Sequence, residues 1–369
     1  MFKKILMVAD SPLELLLSIQ VKIAMFRDVQ TTIVLTDRSP GAYNTYKNVK
    51  KQKIFDCVLY VKESVFWGCK FCKLLPKKIN EKLRDTLNVF IAKRILVHHD
   101  SYDLFITSEI DFFSKYMFLA LSKNAKFYLI SEGIYGFSGL EESIKRNKLV
   151  DNSSRLFLDR LSAILYYGPK IGKLPTSKEI QIPSVNCNRG EFVSLLNSIY
   201  NYEPHKIMIE NKIILFEESY ANDGGNDDCV YVLKRLIEKY GNQRVMLKRH
   251  PRDRENRFTQ IGINSIEPYS VPWEMFVLNG DCKNCVLLAA NSASVYLCKL
   301  WDLCKEPVYC IMLNELMNYE YVGGSCMDMY MQFLKKMYKK VGIMVPQSFK
   351  DLFYSIDSIR NEAGEKNEM

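Results

Sequence analysis

Four short stretches carry residue types that could do chemistry, and each lies beside a strand-like apolar run. The first is Lys248-Arg249-His250-Pro251-Arg252, reached directly from Val245-Met246-Leu247. Three fixed cations and one imidazole at a strand end ask for an anion, and phosphate is the plainest match. A solvated basic turn would have the same composition. Pro251 favours an extended backbone at His250, which suits a side chain directed at a ligand and able to protonate a departing phosphate oxygen.

The others are Ser131-Glu132-Gly133, Val271-Pro272-Trp273-Glu274 and Asn291-Ser292-Ala293-Ser294. Glu132, next to a glycine that permits close approach, is a candidate general base, or else a loop carboxylate capping its own turn. Glu274 opens a helix, where the helix dipole favours an acid; near a nucleotide the same acid can accept hydrogen bonds from ribose hydroxyls. Asn291, Ser292 and Ser294 precede a helix expected over 295–301. Small polar side chains there cap the helix, and the same free N–H groups bind anions.

Such stretches need a scaffold that collects strand ends. Ile213–Phe216 is a short unbroken apolar run, Val230, Leu233, Leu236 and Ile237 recur at helical spacing, and 245–247 reads as the next strand. This is a β-α-β unit, and open parallel sheets bind ligands at their carboxyl ends. The first half alternates in the same way, with strands at 4–8, 31–35, 57–61, 104–107 and 127–130 and helices at 13–26, 80–100 and 112–122. Ser11, Pro12 and Glu14 predict a capping box with proline at the first helical position. Pro169, Pro175, Pro183 and Pro204 interrupt the pattern. The expected division is therefore a first Rossmann-like domain over 1–168, a linker over 169–205, a second such domain over 206–346, and a terminal helix and tail over 347–369. That last helix is expected to pack back against the first domain.

Apolar residues make up 48% of the 369 and charged residues 25%, a globular composition. A formal net charge of +9 fits nucleic acid, an anionic membrane or an anionic substrate. No helix-turn-helix, zinc-finger or RNP-like pattern supports the first. Lys335, Lys336, Lys339 and Lys340 share a helical face opposite Phe333, Leu334, Met337 and Tyr338, as either a contact for an anionic leaflet or an ordinary solvated face. Eleven cysteines suit a reducing compartment. Neither Cys69 with Cys72 nor Cys282 with Cys285 has a nearby histidine, which argues against a zinc site. No apolar run approaches the ~20 residues of a bilayer span, and the start is too short for a secretory core. The expectation is a cytoplasmic protein, or one peripheral on the cytoplasmic face of the inner membrane.

Two parallel-sheet domains joined by one linker describe the GT-B arrangement of glycosyltransferases and also several dehydrogenases and epimerases; the dehydrogenase reading needs a Gly-x-Gly-x-x-Gly turn after a strand, and neither domain has one. The strings YLISEGIYGFS, ILFEES, VMLKRHPRD, VPWE and NSAS resemble the bacterial sialyltransferases of glycosyltransferase family 52 and the related capsular polysialyltransferases, and SPLELL is similar to the opening of family 52 chains. Those families share an acidic-acidic-Gly motif, a His-Pro motif and a Ser-Ser or Ser-Thr motif. Here Ser131 stands in place of the first acid and Asn291 in place of the first hydroxyl.

The resemblance implies an α/β fold of GT-B type, two Rossmann-like parallel-sheet domains facing a central cleft. It implies inverting transfer from CMP-sialic acid to a galactose-terminated lipooligosaccharide or capsule glycan, with no metal and no other cofactor. Glu132 would take the proton of the acceptor hydroxyl, and His250 would hold the CMP phosphate and assist its departure. Glu274 would bind the ribose, while Asn291, Ser292, Ser294, Lys248 and Arg249 would complete the CMP site. Ser11 and Gly133 would lie on the acceptor side. The expected partners are CMP-sialic acid and a glycan acceptor, with no nucleic acid; peripheral contact with an anionic membrane and a homodimer stay open. Another sugar nucleotide, or an inactive membrane-surface assembly protein of the same fold, is the alternative.

Overall fold

The alternation of apolar strands with amphipathic helices is the architecture the chain adopts. The computed structural model describes residues 2–66, 77–108, 111–131, 159–166, 178–183, 189–218, 226–250, 257–267, 271–290, 295, 308–320 and 343–365. It divides into two units, Met1–Phe192 and Val193–Met369.

The first unit comprises β1 (Lys4–Ala9), α1 (Pro12–Met25), β2 (Gln30–Thr36), α2 (Ala42–Gln52), β3 (Cys57–Val61), α3 (Lys77–Ile95), β4 (Leu104–Thr107), α4 (Phe112–Leu119), β5 (Lys126–Ser131), β6 (Leu161–Tyr166) and β7 (Glu179–Gln181). These seven strands form one parallel sheet in the order β3-β2-β1-β4-β5-β6-β7. The winding reverses between β1 and β4, so their carboxyl ends flank the crevice where doubly wound sheets receive ligands. On one face Leu6, Val8, Phe105 and Phe127 pack beneath Phe113, Tyr116 and Met117 of α4 and Ala92 of α3.

The second unit holds α5 (Arg189–Tyr200, whose start belongs to the first), β8 (Ile209–Glu210), β9 (Ile213–Phe216), β10 (Asn226–Asp227), α6 (Cys229–Tyr240), β11 (Val245–Lys248), α7 (Trp273–Asn279), β12 (Cys282–Lys283), β13 (Cys285–Ala289), β14 (Val308–Met312), β15 (Tyr319–Glu320) and α8 (Phe349–Glu365). Its main sheet runs β11-β9-β13-β14, all parallel. Every residue of β9 and β13 is buried, as their unbroken apolar runs require of strands covered on both faces. Here the winding reverses between β9 and β13, beside β11.

Within the expected linker over 169–205, the described residues 178–183 and 189–205 are held by neighbouring elements of their own units. β7 adds an edge strand to the first sheet, and Gln20 Nε2 donates to the Pro183 carbonyl at 2.7 Å. Beyond the boundary, the side chains of Asn197 and Asn279 exchange hydrogen bonds of 2.9 and 2.8 Å, and the Tyr202 hydroxyl donates to buried Asp281 at 2.6 Å. Pro183 and Pro204 lie beside these contacts, while Pro169 and Pro175 fall outside the described residues. The terminal helix differs too: Leu352, Ile356 and Ile359 of α8 join Val232, Leu233 and Leu236 of α6 in the second unit's own core.

Candidate functional site at the strand ends

In the second unit β9 and β11 pair with Phe216 level with Lys248, so their exits lie side by side. β9 leads into Glu217 and Glu218, and β11 into Arg249 and His250. Glu217 ties the exits together. Its N–H donates to the Lys248 carbonyl at 2.9 Å, one carboxylate oxygen accepts the His250 N–H at 2.9 Å, and the other accepts Arg257 Nε at 3.0 Å. A carboxylate with no exposed side-chain surface therefore fixes the backbone of His250.

The basic run is not the solvated turn that composition allows. Lys248 is 5% exposed and Arg249 8%, leaving His250 the most open of the three. Burial pushes the Lys248 ammonium down to about 8, opposed by the charges of Glu274 and Glu267. The cations are thus countered from within the unit, by Glu217 at Arg257 and by Glu274 and Glu267 acting on Lys248. Glu274 itself is 1% exposed. Its charge acts on Lys248 and, after burial itself, raises the hydroxyl of Tyr200 well above the usual tyrosine range. Beside it, the Trp273 ring packs edge-on against Phe216 and stacks on Phe276, and its buried indole N–H has no hydrogen-bond partner among the described residues.

The first unit collects a second group at its strand ends, where the sequence offered only Ser11, Glu132 and Gly133. Asp10 follows β1, Arg38 follows β2, Glu63 follows β3 and Asp111 caps α4. Arg38 Nη1 lies 2.5 Å from Asp10 Oδ2 and 3.5 Å from Asp111 Oδ2. Burial alone would raise the Asp10 carboxyl, but hydrogen bonding with Glu14 and the Arg38 charge hold it below the usual carboxylate range. Glu63 goes the other way, pushed up by burial against the pull of Arg38 and with the Asp10 charge adding to the rise. One oxygen each of Asp10, Glu63 and Asp111 lie within 4.8 Å of one another, a set that could accept a cation. Arg38 Nη1 lies against two of the three acids, Asp10 and Asp111.

Ser11 has a structural task of its own. It caps α1, accepting the Glu14 N–H at 3.2 Å while Glu14 accepts the Ser11 N–H at 3.2 Å, the reciprocal box that the sequence predicts. Glu132 and Gly133, immediately beyond β5, lie outside the described residues, as do Asn291, Ser292 and Ser294 beyond buried Ala290. The lysine cluster at 335–340 and Cys69 with Cys72 also fall outside them. Cys282 and Cys285 are buried free thiols on β12 and β13.

Sequence reasoning missed Glu217 and the Asp10, Arg38, Glu63 and Asp111 group. A signal was present: each acid of the latter group but Asp111 stands one or two residues past a strand-like run, as Glu132 does. What the sequence does not carry is which neighbouring exits converge.

No family model matches the chain, and no curated protein matches it. Among solved structures it is similar to MurG from Acinetobacter baumannii, at 8% identity over 98% of this chain and 90% of that one, with a TM-score of 0.45. It is similar to UDP-N-acetylglucosamine 2-epimerase from Rickettsia bellii, at 14% identity over 85% and 79%, TM-score 0.45. A third likeness is to a Polygonum tinctorium UDP-glucosyltransferase capable of glucosylating indoxyl, at 8% identity over 84% and 80%, TM-score 0.40. The chemistry of the site follows from its own residues alone.

Proposed function

We propose that the chain is a GT-B glycosyltransferase that takes sialic acid from CMP-sialic acid and passes it, with inversion and without a metal, to a galactose-terminated surface glycan. The observation that supports this most is the exit of β11. A half-buried His250 is held by its backbone on buried Glu217, at the carboxyl end of a parallel sheet and with Arg249 beside it. In the reaction the acceptor oxygen bonds to the anomeric carbon as the bond to the phosphate oxygen of CMP breaks. The acceptor proton goes to a base, and the negative charge left on the phosphate is met by His250, which can also protonate it.

The sequence resemblance assigns the base to Glu132, a further phosphate hydrogen bond to Ser292, the ribose contact to Glu274, and places in the CMP site to Asn291 and Ser294. It gives Gly133 and Ser11 to the acceptor side. It also gives Lys248 and Arg249 to the CMP site, and the buried Lys248 adds positive charge at the exit of β11. Thermal unfolding with CMP, UDP and GDP tests this reading. CMP should stabilise by about 2.7 kcal/mol at a hundred times its dissociation constant, and UDP and GDP by less. Preferential stabilisation by UDP or GDP would move the reading to another sugar nucleotide. No stabilisation by any of the three would remove it.

A further inference from the structure

The exposed apolar surface of the first unit is concentrated on one helix. Five of the eleven exposed large apolar side chains among the described residues lie on or beside α3: Leu83 at 49%, Leu87 at 39%, Phe90 at 53%, Val97 at 68% and Phe112 at 36%. Leu83, Leu87 and Phe90 follow at i, i+4 and i+7, so they share one stripe, and Val97 is exposed two residues past the helix end. Asn88, Ala92 and Leu96, on the opposite side, are fully buried. This is a surface helix whose inner face is already satisfied by the core and whose outer face is also apolar, an arrangement that marks a contact surface.

The charges around the stripe say what the contact is with. From 83 to 97 the cations are Arg84, Lys93 and Arg94, and the sole acid, Asp85, is turned inward to accept the Tyr116 hydroxyl. The Arg94 guanidinium lies 5.1 Å from the Phe90 ring centre and that of Arg84 5.9 Å from the Phe112 ring centre, so the cations line the apolar stripe itself. Leucine and phenylalanine on one face, flanked by arginine and lysine, suit a helix lying at the boundary between acyl chains and anionic headgroups. The whole chain carries +9, the matching sign. Among the described residues no helix is long and apolar enough to cross a membrane, so the contact this surface fits is a peripheral one.

We infer that the outer face of α3, with Phe112, docks on an anionic phospholipid surface: Leu83, Leu87, Phe90 and Val97 enter the interface while Arg84, Lys93 and Arg94 meet the headgroups. This is independent of the donor nucleotide, since it is read without any substrate.

The test is sedimentation of the full chain with vesicles of phosphatidylcholine alone and of phosphatidylcholine with 30% phosphatidylglycerol. Binding is expected to the anionic vesicles and not to the neutral ones, and to fall in 0.5 M salt. Replacing Arg84, Lys93 and Arg94 together by glutamine should lower the partition coefficient about a hundredfold, near fivefold for each cation. The double variant Leu87→Ser with Phe90→Ser should lower it at least tenfold while the chain still unfolds cooperatively, because both side chains are more than a third exposed. Equal binding to neutral vesicles, no binding to either, or variants that bind like the parent would overturn the inference. So would a dimer in lipid-free sedimentation that Phe90→Ser dissociates, which would give the face to a second copy of the chain.

Discussion

The two units differ in which charge is moved from its ordinary protonation, an acid in the first and a cation in the second. Each is a parallel sheet whose winding reverses, and each gathers ionisable side chains at the carboxyl ends beside that reversal. In the first unit Asp10, Glu63 and Asp111 share one cation, Arg38, so carboxylate is in excess and the strain falls on Glu63, whose proton is held more tightly than usual. In the second unit Lys248 and Arg257 each act on buried glutamates, and Lys248 is the group whose proton is loosened. Placement at a strand end therefore does not set the sign of a site. The balance of buried partners does, because in a poorly solvated position an unmatched charge shifts its own protonation before it serves a ligand.

The sharpest way to break the comparison is at His250. If the second unit's exit holds the leaving phosphate, His250→Ala should slow CMP release from CMP-sialic acid by 10²- to 10³-fold, as loss of one preorganised charge-stabilising donor does. Initial rates at saturating donor check this, and a loss below tenfold would detach the imidazole from the chemistry.

Next comes Lys248. Its folded value of about 8 lies below the ordinary lysine value of about 10.4, so the unfolded chain binds the extra proton between these two values and stability rises with pH across that window. Relative to Lys248→Met, the parent should gain up to about 3 kcal/mol on going from pH 8 to 10.5. Parallel denaturant titrations of both proteins measure the difference and cancel the tyrosines that titrate nearby. A flat difference would mean that Glu274 and Glu267 fully offset the burial.

In the first unit, Arg38→Met should destabilise by about 2 kcal/mol at pH 7, less than for a fully buried pair because the Arg38 side chain is 26% exposed. The loss should shrink as pH falls towards 4 and the carboxyls protonate, which removes their mutual repulsion. Chemical unfolding at the two pH values checks the sign. The smallest effect is expected for Ser11→Ala, about 1 kcal/mol from loss of the α1 cap, with turnover unchanged if capping is its whole role. A fall in turnover larger than the loss in folded fraction would return Ser11 to the acceptor side.

Much of the scaffold was legible because it rests on local pattern. β9 and β13 read as strands from short apolar runs, α1 from Ser11, Pro12 and Glu14, and α6 from its apolar spacing. α2 was not, since Val49 is its one buried residue and a helix so polar shows too few apolar residues to announce a core face. β7, only three residues long, is defined by pairing with β6 and not by composition. The final helix was legible as a helix but not in its packing, because an apolar face fits any core that offers room.

What the sequence alone determined is the order of strands and helices, the chemistry available at each strand exit, and the cationic balance of the chain. These depend on neighbours within a few residues or on simple sums. What only the tertiary structure decided is which charges are matched: that Glu217 fastens His250 and Arg257, that Glu274 faces Lys248, and that three acids from separate loops converge on Arg38. Those partners stand 25 to 101 positions apart in the chain, and burial, which turns a charge into a costly one, exists only once the sheets have formed.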